Sequence, residues 1–244
     1  MDTAVLTPQE WGQAKKEGIQ NDFSYGSNVG SSHIYIRMGF LRKVYGLLSV
    51  QLLVTTIVAA TVAYTPVLRD TIHSNPLLLM FVIIMSFVLL FALHVKRHHV
   101  PINLFLLGGF TIVEAIAIGI VVSVYEAKAV LKALVLTLII TGGLTAYTFQ
   151  TKRDFTNTGA GLSISLFIII GLGVMNVFMG SRGLELALAG GSALIFCLFV
   201  VFDTQQTLMK LSPEEYILAT INLYLDILNL FLELLRLMKD DKRK

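Results

Sequence analysis

Residues 216–238 read YILATINLYLDILNLFLELLRLM, long enough to cross a bilayer yet carrying Asn222, Asp226, Asn229, Glu233 and Arg236. The steps between these five are 4, 3, 4 and 3 residues. They therefore share one stripe of a helix, and Leu, Ile, Phe and Tyr cover most of the rest. Such a helix has two resting places. It lies flat on a membrane surface with its apolar side down, or it sits inside a bundle with the stripe facing a wet or proteinaceous interior. Surface helices carry a broad basic face, whereas this stripe is narrow and rich in amides. The pattern favours the centre of a bundle.

Working outward, six apolar runs precede it. Residues 44–64, 76–93 and 155–180 carry no charge; 101–125 carry only Glu114, 129–149 only Lys132 and 184–202 only Glu185. Each is near the ~20 residues a helix needs to cross about 30 Å of hydrocarbon. Open strands would leave backbone groups unpaired in lipid, so the spans are helices. Short connections make neighbours antiparallel. Composition agrees: 55% of the 244 residues are hydrophobic, 14% are charged, and the mean hydropathy is +0.74. A soluble domain carries about 25% charge, and one this size has no room to hide so much apolar surface. A nucleic-acid binder, a disulfide-knit secreted domain and a disordered chain are excluded. Cys197 is the single cysteine, so no internal disulfide forms.

The predicted fold is an all-α integral membrane protein, a bundle of six to seven transmembrane helices with the last, polar-striped helix in the centre. Residues 1–36 read as a flexible polar arm with no apolar signal core, 37–240 as the transmembrane domain, and 241–244 as a basic tail. The arm and the connections after spans two, four and six hold ten Lys and Arg; the opposite connections hold four. The positive-inside rule therefore puts the N-terminus in the cytosol. Five more basic residues follow from Arg236 onward. Their count prefers a C-terminus on the same side, with the last segment dipping in and returning; seven full crossings is the alternative.

Gly108/Gly109, Gly142/Gly143, Gly171 with Gly173, and Gly190/Gly191 lie deep in four spans. Such residues let helix backbones approach closely. No strand-to-helix Gly-rich loop ending in Lys-Ser/Thr is present, so a nucleotide-binding reading fails.

Glu114, Asp203 and Asp226 stand where lipid is expected. A charge at the bilayer centre costs about 2.5–3.5 kcal/mol on insertion scales, so each must be paired, protonated or wetted. Asp203 and Asp226 are joined by a turn around 211–215, and antiparallel helices bring them to similar depth if the turn is central. Two adjacent carboxyls do not both ionise cheaply, so they share a proton. That bridge latches helix six to helix seven. Its loss leaves two negative charges that repel or attract a hard cation such as Ca²⁺. The plainer alternative makes Asp203 a turn cap among headgroups, with Asp226 satisfied by a nearby Asn or Tyr. Glu114 is either part of a pathway or a structural anchor. Glu233 and Arg236, three apart, suit an ion pair.

Phe202-Asp203-Thr204-Gln205 followed by Asn222-Leu-Tyr-Leu-Asp226-Ile-Leu-Asn229-Leu-Phe resembles the transmembrane Bax-inhibitor-motif, or Lifeguard, family. Lys43-Val44-Tyr45 with Gln51-Leu52, and Pro101-Ile-Asn103-Leu before Glu114, look most like its Golgi anti-apoptotic branch. The resemblance covers about residues 37–240. It implies six or seven helices with the last enclosed, and Golgi or endoplasmic reticulum membranes. It also implies a pH-sensitive calcium leak that lowers luminal calcium, and suppression of cell death. No cofactor is implied, only calcium as the permeant ion, a lipid bilayer, and membrane proteins of apoptosis or calcium release as partners. Asp203 and Asp226 match the family's proton-sensing pair, with Asn222, Asn229 and Glu233 beside them as latch candidates.

One departure stands out. Bacterial relatives place an arginine near the end of the second span, where this chain reads His94-Val-Lys96-Arg97-His98-His99. His94 at that position makes the latch respond between about pH 5 and 8; the plainer reading is a basic loop anchoring the spans. His94 and His98 have a zinc-like spacing without an HExxH pattern or third ligand. Two alternatives to a channel stay open. One is a non-conducting scaffold regulating cell death. The other is an intramembrane aspartyl protease, although Leu-Tyr-Leu-Asp226 lacks the Gly-x-Gly-Asp of such enzymes.

Overall fold

A computed structural model describes residues 29–30 and 34–238. The helices in chain order are α1 (Ile34–Tyr64), α2 (Pro66–Ser74), α3 (Pro76–Lys96), α4 (Ile102–Val122), α5 (Ala127–Gln150), α6 (Gly159–Met179), α7 (Arg182–Met209) and α8 (Tyr216–Leu237). All but α2 are long and apolar enough to cross a membrane, which gives seven candidate spans among the described residues. Local chemistry sets several boundaries. Pro66 and Pro76 open α2 and α3, where a missing N–H costs nothing. Gly180, at φ 62°, closes α6 in the left-handed conformation. Ser181 caps α7, its hydroxyl accepting from Leu184 N–H at 3.4 Å.

The last helix is the core. α8 packs against α7, α1 and α5; α4 packs against α1 and α3, and α6 against α7. Of the most apolar window of α8, 61% is buried, against 6% for α3 and for α6. Those two outer helices turn Leu, Ile and Phe side chains to the lipid.

Three expectations need correction. α8 is a single unbroken helix of 22 residues, about 33 Å long at 1.5 Å per residue. It has no turn at which to reverse, so the dip-and-return preferred by the charge count does not occur. The glycine pairs do not mediate close approach. A Cβ at Gly108, Gly142, Gly143, Gly171, Gly173 or Gly190 would meet nothing within 4 Å, and at Gly109 and Gly191 only ordinary contacts. Close approach occurs instead at Gly119, where a Cβ would come within 2.7 Å of Val62 Cβ, and at Gly159, within 2.6 Å of the Phe202 ring. Finally, the boundary expected between an arm at 1–36 and the helical domain does not fall at 36. Val29 is fully buried and donates its N–H to Leu211 O at 2.8 Å, while α1 already begins at Ile34. Residues 1–28, 31–33 and 239–244, including the 241–244 tail, lie outside the described residues.

Candidate functional site: an aspartate pair between two helices

α7 and α8 form an antiparallel hairpin closed by the turn at 210–215. Asp203 lies six residues before the end of α7 and Asp226 ten residues into α8. Both are inside the bundle, 9% and 7% exposed, so Asp203 is not a cap among headgroups. Their carboxyl groups lie within reach of a shared hydrogen bond. Asn222, one turn before Asp226, donates its Nδ2 to Asp203 Oδ1 at 3.3 Å. Asp226 Oδ2 is buried with no hydrogen-bond partner among the described residues. Two carboxyls and one amide offer fewer oxygens than the six to eight of a resident Ca²⁺ site. Such a set suits a proton, or an ion in passage.

The polar stripe of α8 is thus its seam with α7. Asn222 and Asp226 meet Asp203 near one end, and Arg236 meets Glu185 near the other, Nε to Oε1 at 3.9 Å. Arg236 also pairs with Glu233 at 3.5 Å, and Arg182 with Glu185 at 3.1 Å. Glu233 therefore belongs to a four-charge cluster at the far end from the aspartates. Asn229 lies between the two groups, half-buried and without a hydrogen bond among the described residues.

Glu114 is anchored elsewhere. Ser86 on α3 donates to its Oε1 at 2.5 Å, joining α3 to α4. His94 is exposed and contacts Arg97, Nε2 to Nη1 at 3.2 Å. It lines, with Arg97 and Asn222, a cavity of about 230 Å³ between α3 and α8; neither aspartate lines it. No group of three His, Cys, Asp or Glu side chains arranged for a metal occurs among the described residues.

Several residues hold the site to which the sequence reading gave no role. Thr55 on α1 and Tyr224 on α8 bring their hydroxyls to 2.7 Å. Arg97 pairs with Glu215 at the start of α8, at 3.5 Å. Asn103 donates its Nδ2 to Arg97 O at 2.8 Å and Tyr216 Oη at 2.9 Å, and Lys43 Nζ stands 3.2 Å above the Tyr216 ring. Gln205, fully buried, accepts from Phe155 N–H and donates to Arg153 O, both at 2.5 Å. The aspartate end of the hairpin is clamped on several sides. Lys43, Asn103, Gln205 and Tyr224 lie in the stretches that carry the family resemblance, and Arg97 in the basic segment after the second span; Thr55 and Tyr216 had no such signal.

A helical membrane bundle whose enclosed last helix shares an aspartate pair with its predecessor defines the class. The chain belongs to the Bax-inhibitor family: residues 37–243 match the family model described as inhibitor of apoptosis-promoting Bax1. It is 45% identical to protein lifeguard 4 of Mus musculus over 94% of this chain and 96% of that one. It is 46% identical to the Golgi anti-apoptotic protein of Vaccinia virus (strain Lister), covering 93% and 95%. A BI1-like protein of Arabidopsis thaliana is 41% identical over 88% and 84%.

Proposed function

We propose that this protein is a calcium leak channel gated by protonation, and that it suppresses apoptosis by lowering luminal calcium in Golgi and endoplasmic reticulum membranes. The observation that carries the reading is the meeting of Asp203 and Asp226 in a poorly hydrated seam. A proton held between them ties α7 to α8. Its loss leaves two like charges side by side, whose repulsion is strong where water is scarce. α8 then shifts along its seam, and the freed oxygens attract a divalent cation. The names of the relatives support the anti-apoptotic part and the Golgi location.

The N-terminus faces the cytosol in this reading. With α8 crossing fully, the Lys and Arg counts nearly balance, ten on the N-terminal side against nine on the other. The orientation therefore rests on the basic residues before the first span, which usually dominates, and on Arg97, Lys152, Arg153 and Lys210 in the connections at that end. His94 and Asn222 line a cavity at the same end, and Asn222 is itself bonded to Asp203.

Purified protein in liposomes, with Ca²⁺ uptake followed across a pH series, tests the proposal. Flux that rises as pH rises and loses its pH response in Asp203→Asn is the expected result. Liposomes that pass no Ca²⁺ at any pH would favour the non-conducting scaffold. Aspartate-dependent cleavage of an added membrane-spanning peptide would favour the protease.

A further inference from the structure

α1 and α5 each pack against α8, and between them runs a crevice of about 530 Å³. Its floor is Ile227, Leu228 and Phe231 of the otherwise enclosed α8, and Ile118 and Val122 of α4 close one side. Along α1 it runs from Tyr64 to Leu52. Twelve residues of helix rise about 18 Å, close to half of the roughly 30 Å hydrocarbon core. The crevice is thus as long as one leaflet is deep. Its rim residues Leu53, Leu131 and Leu138 are exposed, so it opens sideways into the membrane.

The crevice is dry. Of the hydroxyls along its walls, Thr55 bonds Gln51 O and Tyr224, Thr56 bonds Leu52 O, and Thr137 bonds Ala133 O. A trapped water needs two to four polar partners, and these are already engaged. The interface end differs. Tyr64 is exposed there and makes no hydrogen bond among the described residues. Lys128, in the first turn of α5, adjoins the lining residues Ala127 and Leu131 and has no ion pair among the described residues. Helical Cβ atoms tilt toward the helix N-terminus, so the Lys128 ammonium leans toward the headgroups.

We propose that this crevice binds one phospholipid of the leaflet at the Tyr64 end, the luminal leaflet in the orientation above. Its phosphate meets Tyr64 Oη and Lys128 Nζ, and one acyl chain lies in the crevice against α8. The far end of that chain rests on Ile227, the residue after Asp226. The lipid completes the wall that α1 and α5 leave open, and it fills space into which α8 would otherwise move. The size fits a ligand site, since pockets span about 300–1,000 Å³.

Native mass spectrometry of the full chain in detergent, with palmitoyl-oleoyl phosphatidylserine or phosphatidylcholine added, tests this without any flux measurement. One retained lipid per chain is expected. Ala60→Phe and Leu131→Trp, both filling the crevice, should each weaken retention about tenfold. Ile57→Phe, on the exposed face of α1 outside the crevice, should leave it unchanged. Lys128→Gln should weaken retention of both lipids, because both carry the phosphate. Equal retention by wild type and both filling variants overturns the proposal, as does a second copy of the chain in place of lipid. A melting curve for each variant in the same detergent identifies loss of fold. Should both filling variants unfold, Lys128→Gln decides: unchanged retention counts against the site.

Discussion

The hydroxyls of Thr55 and Tyr224 lie 2.7 Å apart in the buried centre of the bundle and join its first helix to its last. The two are not equivalent. Thr55 also bonds Gln51 O at 2.8 Å, whereas Tyr224, fully buried, has Thr55 as its hydrogen-bond partner. Tyr224→Phe should therefore cost about 0.6 kcal/mol, the average for hydrogen bonds between membrane helices. Thr55→Val strands the phenol and should cost about 1–3 kcal/mol. Unfolding in mixed micelles ranks the two; the reverse order would mean that the phenol has another partner.

Asp226→Ala should abolish or greatly alter the pH response of Ca²⁺ flux, because it removes one half of the shared proton site. Lys210→Ala, in the turn that joins α7 to α8, should barely change it. Asn222→Ala removes the amide that holds Asp203 and should move the midpoint of the response without abolishing it. The pH profile of flux in liposomes distinguishes the three, and identical profiles would end the gating model.

Gly119 and Gly143 make opposite predictions. A methyl at 119 would come within 2.7 Å of Val62 Cβ and 3.0 Å of Ala59 O, so Gly119→Ala should destabilise by about 1–3 kcal/mol. A methyl at 143 meets nothing within 4 Å. Gly143→Ala should be neutral or stabilising by up to about 1 kcal/mol, since alanine is the better helix former. Detergent melting temperatures test both.

Asp154, in the connection after α5, titrates below the usual carboxylate range. The Thr156 hydroxyl and then its N–H donate to Asp154 Oδ1, at 2.5 and 2.8 Å. The ionised form is the one favoured in the folded protein, so this contribution to stability is complete above the ordinary value near 4. It is lost as pH falls through the lower folded value. Thr156→Val should shift the titration back upward, read from the carboxyl carbon by NMR.

How far the sequence reached depended on what each feature rests upon. Six spans were legible because each is a long local apolar run with at most one charge. The seventh, with its three charges, read either as a crossing or as a re-entrant segment. The stripe on α8 was legible because 4-3-4-3 spacing is a property of a single helix. α2 was not, because Pro66–Ser74 is short and carries Arg69 and Asp70. The glycines misled for a physical reason: lipid, like a neighbouring helix, accepts a bare backbone, so Gly143 and Gly119 read alike. Asn103 and Tyr216 are 113 residues apart, and no local pattern announces such a meeting. The pairing of Asp203 with Asp226 lay between these cases, since one hairpin joins them.

The enclosed position of α8 has a consequence for biogenesis. It leaves the ribosome after the helices that surround it, and chains fold largely in the order they are made. The surrounding helices therefore wait in the bilayer around an unfilled axis until the final segment threads between them. Through that interval the Thr55 hydroxyl of the shell lacks its counterpart on the last helix, Tyr224. Nascent chains of this architecture are most exposed to quality control in the interval before α8 docks.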